Sequence, residues 1–122
     1  MTTIERPLPL TTTVKPSVPE ALEKLEALGS VRHIAEHLRD QRVCGDLCEA
    51  SSCALAVWLR KQTGHGDVHV STDVAYWDIV DFDLKHWKWH ALPWHVREFV
   101  NEFDNGLHPE LIKGWEQPRI AV

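Results

Sequence analysis

Two histidines and three cysteines stand close together in this chain: His33, His37, Cys44, Cys48 and Cys53. Histidines four residues apart share one face of a helix. With cysteines one short loop later, they could offer zinc a tetrahedral set of soft ligands. Zinc knuckles, however, usually separate their paired cysteines by two residues, and here the intervening stretches are three and four long. The competing reading is a loop with one or two buried thiols acting as small hydrophobes. Cys53 invites a second chemistry. It follows Ser51 and Ser52 at an expected helix start, where the helix dipole lowers a thiol's pKa. A thiol enzyme also needs a base, an orienting group and an oxyanion donor, and no local signature supplies the last two. A buried cysteine on a core helix explains the same residues, and the reading here is non-enzymatic.

A third constellation is aromatic. Of six tryptophans, four fall between Tyr76 and Phe103: Trp77, Trp87, Trp89 and Trp94. They are interleaved with His86, His90 and His95 and flanked by Asp78, Asp81 and Asp83. Tryptophan is enriched at the energetic centres of protein interfaces, so this segment either closes a core or presents a binding face. The histidines could instead be a metal face or ordinary hydrogen-bonding groups beside aromatic packing. Stacking on nucleic acid would call for basic neighbours, and Lys85 and Lys88 are few beside the aspartates.

Charge sharpens this. The net charge is −5, and residues 67–122 hold five basic against ten acidic side chains, so the second half carries the whole excess. Such a balance disfavours direct nucleic-acid binding, since phosphate contacts want a basic surface. It suits a basic protein partner, or plain solubility. Glu98, Glu102 and Asp104 read as a solvated helix face.

The elements that must position these residues follow from patterning. A chain of 122 residues, 43% hydrophobic and 25% charged, predicts one globular domain. No apolar run reaches bilayer length. No basic stretch leads into an apolar one at the N-terminus, and the cysteine count is odd, so a reduced, cytoplasmic protein is expected. Residues 1–17, with Pro7, Pro9 and Pro16, read as a flexible arm; residues 18–112 as the domain; residues 113–122 as a loose tail.

Pro19 suits the first position of a helix striped by Ala21, Leu22, Leu25 and Leu28. Ser30 starts a second, striped by Val31, Ile34, Ala35 and Leu38. Ser51 or Ser52 should cap a third, apolar nearly all round from Ala54 to Leu59 and stopped by Gly64. Alternation then predicts strands around Val68–Val70, Val74–Tyr76 and Leu84–Ala91. The last of these puts Lys85, Trp87, Trp89 and Ala91 on one face and Leu84, His86, Lys88 and His90 on the other. The aromatic face is expected to point to the core. Pro93 opens a final amphipathic helix striped by Val96, Phe99, Val100 and Phe103. Three helices, a three-stranded antiparallel meander and a last helix make an α+β domain.

Four pieces between Arg32 and Ile112 carry a family resemblance. They are His37-Leu38-Arg39-Asp40, the helix Cys53-Ala54-Leu55-Ala56-Val57-Trp58-Leu59, Leu92-Pro93-Trp94-His95-Val96-Arg97-Glu98-Phe99-Val100, and Phe103-Asp104-Asn105-Gly106-Leu107-His108-Pro109-Glu110-Leu111. In these the chain resembles a group of small actinobacterial and actinophage proteins with no assigned activity. The resemblance implies a cytosolic domain of phage or mobile-element origin, and it transfers no functional residue. The resulting expectation is an accessory protein that occludes a host or defence protein. Trp77, Trp87, Trp89 and Trp94 would be anchors, with Asp78, Asp81 and Asp83 as steering acids. The alternative is a small zinc-stabilised domain built on His33, His37, Cys44, Cys48 and Cys53.

Overall fold

Ser17 opens the first helix with a reciprocal cap. Its hydroxyl accepts from the Glu20 amide at 3.2 Å, and the Glu20 carboxylate accepts from the Ser17 amide at 2.9 Å. Two of the orphan donors at the start of helix α1 (Val18–Glu26) are thereby satisfied. A computed structural model describes residues 15–81 and 84–113 of the chain. The predicted arm lies outside the described residues apart from Lys15, Pro16 and Ser17, and the predicted tail lies outside them apart from Lys113.

Helix α1 buries Val18, Ala21, Leu22 and Leu25; Leu28, expected in the stripe, lies beyond the helix end and is exposed. After Gly29, whose φ of +89° an L side chain rarely adopts, Ser30 caps α2 (Val31–Asp40) by accepting from the His33 amide. Ile34, Ala35 and Leu38 face inward from it, as the stripe requires. Helix α3 (Ala54–Thr63) is the most buried, and its cap is Cys53 instead of either serine. Gly64 ends it in the left-handed conformation that the sequence calls for, with φ +81°.

Strands β1 (Val68–Val70), β2 (Val74–Asp81) and β3 (Leu84–Ala91) form an antiparallel sheet in the order β1-β2-β3. Helix α4 (Trp94–Asp104) follows, and a 3-10 turn at Pro109–Leu111 closes the described chain. The architecture is α+β, with α1, α2 and α3 before the strands and α4 after them. Its core joins Leu22, Leu25, Ile34, Leu38, Leu55, Leu59, Phe99 and Phe103 to the sheet residues Val68, Val70, Ala75 and Trp77. Among the described residues no helix is long and apolar enough to cross a membrane.

Two long-range polar contacts lock the layers. Pro93, the residue before α4, has no side-chain oxygen to cap it. Instead the Glu26 carboxylate at the end of α1 accepts from the amides of His95 at 2.9 Å and Val96 at 3.1 Å. Gly45 lies against the start of α3 so closely that a Cβ would meet the Ala54 nitrogen at 2.2 Å. Its amide donates to the Leu111 carbonyl and its carbonyl accepts from the Lys113 amide, which ties the loop before α3 to the segment around the 3-10 turn.

The sheet corrects one expectation. Residues directly opposite in an antiparallel pair share a face. Ala75 stands opposite Val70 and His90, and Trp77 opposite Val68 and Lys88, so the helix-facing side is Val68, Val70, Ala75, Trp77, Lys88 and His90. The alternation predicted for β3 is present with its faces reversed. Trp87 and Trp89 lie on the side away from the helices.

Candidate functional site

The outer face of the sheet is built by three strands in register. On β1 and β2, His69 stands opposite Tyr76; on β2 and β3, Tyr76 stands opposite Trp89 and Asp78 opposite Trp87. Such neighbours have Cβ atoms about 5 Å apart, with diagonal ones at about 7–8 Å, so these side chains form one continuous surface. The His69 imidazole stacks on the Tyr76 ring, with centroids 5.1 Å apart and planes within 9°. The Trp87 indole meets both edge-on, at 5.5 Å from His69 and 5.7 Å from Tyr76. Asp67 anchors the cluster through a 2.8 Å contact from its carboxylate to Nε2 of His69.

This packing holds the Trp87 ring against its neighbours without burying it, and Trp89 stands beside it with its ring in water. Trp87 remains 50% exposed and Trp89 70% exposed. Adjacent indoles left in water on one face of a sheet offer an apolar surface with acid at its rim.

The other predicted anchors are placed differently. Trp77 is only 5% exposed and belongs to the core, because β2 turns it towards the helices; it is unavailable as a surface anchor. Trp94 is exposed but sits at the first residue of α4, where the Arg97 guanidinium lies 5.3 Å from its ring centroid. Asp78 lies on the outer face, and Asp81 ends β2 opposite Leu84. Asp83 lies outside the described residues. Sequence reasoning missed His69 and Tyr76. Their signal was present in the strand alternation, once Ala75 and Trp77 are taken as the inward set.

The histidine and cysteine candidates are held in separate local arrangements. Nδ1 of His33 is 2.8 Å from the hydroxyl of its own helix cap, Ser30. His37 lies edge-on to Trp58 with centroids 6.0 Å apart, and its Nε2 is 3.3 Å from the Gln41 amide nitrogen. Cys48, at φ +55°, donates from its amide to the Asp104 carboxylate at 3.0 Å and from its thiol to the Asp104 carbonyl at 3.6 Å. Cys44 is exposed and Cys53 buried. Among the described residues no group of three or more His, Cys, Asp or Glu is arranged to hold a metal.

Cys53 also departs from the thiolate expected at a helix start. Burial pushes its pKa from 9.0 up to about 11, and the Ala56 amide, at 3.5 Å from the sulfur, offsets only part of this. Desolvation beats the helix terminus here because the sulfur sits inside the core, where the charged form is disfavoured. The group is a neutral thiol at physiological pH. Of the histidines interleaved with the tryptophans, His86 and His90 fall on the opposite sheet face from Trp87 and Trp89, and His95 is on α4 with Nδ1 3.9 Å from Glu98. They do not join the aromatic cluster.

A groove of about 510 Å3 lies elsewhere, lined by Lys15, Pro16, Pro19, Glu20, Glu23, Lys24 and His90. Glu20, Glu23 and Lys24 of α1 contribute to its walls beside Pro16 and Pro19, and none of the aromatic cluster reaches it. No family model, curated protein or solved structure matches the chain.

Proposed function

We propose that this protein is a non-catalytic binding protein that works by occlusion, laying the outer face of its sheet against a protein partner. The observation that carries the reading is the pair of exposed indoles, Trp87 and Trp89, which strand register places on one face beside Tyr76 and His69. Aromatic side chains lose little conformational freedom on binding and dominate interface energetics, so two neighbouring indoles are well suited to act as an anchor. The acidic excess around them favours a basic partner and speeds its approach. An inhibitor of a host or defence protein that itself binds nucleic acid is a specific form of this proposal, since an acidic face competes for a site meant for phosphate.

The test is affinity capture from cells that naturally produce the protein, run in parallel with wild type and a Trp87→Ala/Trp89→Ala variant whose circular dichroism is unchanged. A stoichiometric partner retained by the wild type and lost by the variant supports the proposal. A partner retained equally by both, or none beyond background, refutes it.

A further inference from the structure

We infer that the feature recognised by this face is an arginine side chain of the partner, its guanidinium lying flat on the Trp89 indole. This rests on the outer sheet face being a binding surface, and it names the chemistry that surface takes. Tyr76 is stacked by His69, and Trp87 is engaged edge-on with both. Trp89 makes no ring contact among the described residues and is the most exposed of the three, so its ring offers a face to a ligand. Asp78 stands diagonally across the strand pair from it, and Asp67 lies at the β1 side of the same cluster.

An indole face beside carboxylates attracts an organic cation through its ring quadrupole and through simple charge. Among protein cations, arginine fits best: its guanidinium is planar, weakly hydrated and stacks, whereas an ammonium is compact and strongly hydrated. The molecule already uses this chemistry, with Arg97 over the exposed Trp94. Charge complementarity argues against the other occupants. Nucleic acid would meet the acidic excess of residues 67–122. A second copy packed face to face would bring the same aspartates towards one another.

The experiment records the six indole N–H signals of 15N-labelled protein during titration with a tetra-arginine peptide. Matched tetra-lysine and tetra-citrulline peptides, an oligosaccharide and simple dilution serve as further arms. The expected result is that the arginine peptide moves the Trp89 and Trp87 signals and leaves those of the buried Trp58 and Trp77 unmoved. It should bind at least about threefold tighter than the lysine peptide, in keeping with an exposed cation–π contact. Trp89→Ala should abolish that preference while preserving the fold. Equal binding of the lysine peptide would reduce the effect to bulk charge and overturn the inference. Equal binding of the citrulline peptide or the oligosaccharide would reduce it to neutral stacking, and shifts on dilution alone would reveal self-association; each overturns it too. If the arginine peptide moves neither signal but the double tryptophan variant still releases the captured partner, the arginine inference falls alone. If that variant releases nothing, the binding face falls with it.

Discussion

Glu26→Ala removes a helix cap supplied from a distant part of the sequence. Two amides in the first turn of α4, on His95 and Val96, converge on one Glu26 carboxylate oxygen at 2.9 and 3.1 Å, and Pro93 has no oxygen to replace it. Loss of an N-cap acceptor costs about 0.5–2 kcal/mol, and the charge at a helix N-terminus contributes about 0.3–1 kcal/mol more, partly overlapping with the first. Glu26→Ala should therefore destabilise the domain by about 1–2 kcal/mol. At about 4–8 °C of melting temperature per kcal/mol for a domain of this size, the loss is readily measured.

Two controls separate the causes. Glu26→Gln keeps an acceptor and discards the charge, so it should lose about half as much. Pro93→Ser, placed in the Glu26→Ala background, offers α4 a local cap and should recover part of the loss. The assay is urea denaturation followed by far-ultraviolet circular dichroism at low salt. A Glu26→Ala variant within about 0.3 kcal/mol of wild type would refute the cap, because surface substitutions away from specific contacts commonly fall in that range. A Glu26→Gln variant as damaged as the alanine one would refute the hydrogen-bond account and leave only charge.

Gly45→Ala should cost about 3 kcal/mol or leave the protein unfolded, since the obstructing atoms are backbone of Cys53 and Ala54; equilibrium denaturation checks this, and a neutral effect would contradict the close approach. Cys53 should resist alkylation at neutral pH while Cys44 and Cys48 react, as mass spectrometry of the native protein would show. Because its folded pKa lies above the unfolded value, stability from Cys53 is complete below pH 9 and declines as pH rises towards 11. Cys53→Ala should flatten that decline by up to about 3 kcal/mol; identical slopes in wild type and variant would refute the assignment. Elemental analysis of protein purified without chelator should find zinc well below one equivalent, and a full equivalent removable with loss of structure would restore the metal reading. Trp89→Ala should leave stability within about 0.5 kcal/mol of wild type, as its side chain is mostly in water; a larger loss on thermal denaturation would assign it a packing role.

The helices were legible because each carries both its stripe and its punctuation. Ser30 and Gly64 mark ends where orphan backbone groups or positive φ demand those residues, and Phe99, Val100 and Phe103 repeat at the spacing of one buried face. Contacts between remote segments left no such mark. Nothing local says that Glu26 caps α4, or that Gly45 is squeezed against Ala54. The start of α3 was misplaced for a related reason: a cysteine is a poor cap in isolation, and Cys53 takes the position because the core holds it there.

The aromatic face was half legible, and the missing half has one physical origin. Alternation gives the two sets of side chains in a strand and does not say which set is inward; hydrophobicity normally decides that. In β3 the rule gives the wrong face. Its partner β2 sets the register from Ala75 and Trp77, which pack with β1 against the helices, and β3 inherits the opposite face for its own tryptophans. The helices leave His86 and Lys88 in water even on the inner side, so no burial was on offer there to draw the indoles inward. The core is closed by leucines, phenylalanines, Trp58 and Trp77. Trp87 and Trp89 therefore stand outside the core, and that places the core's requirements and the proposed binding chemistry on different residues of the same sheet.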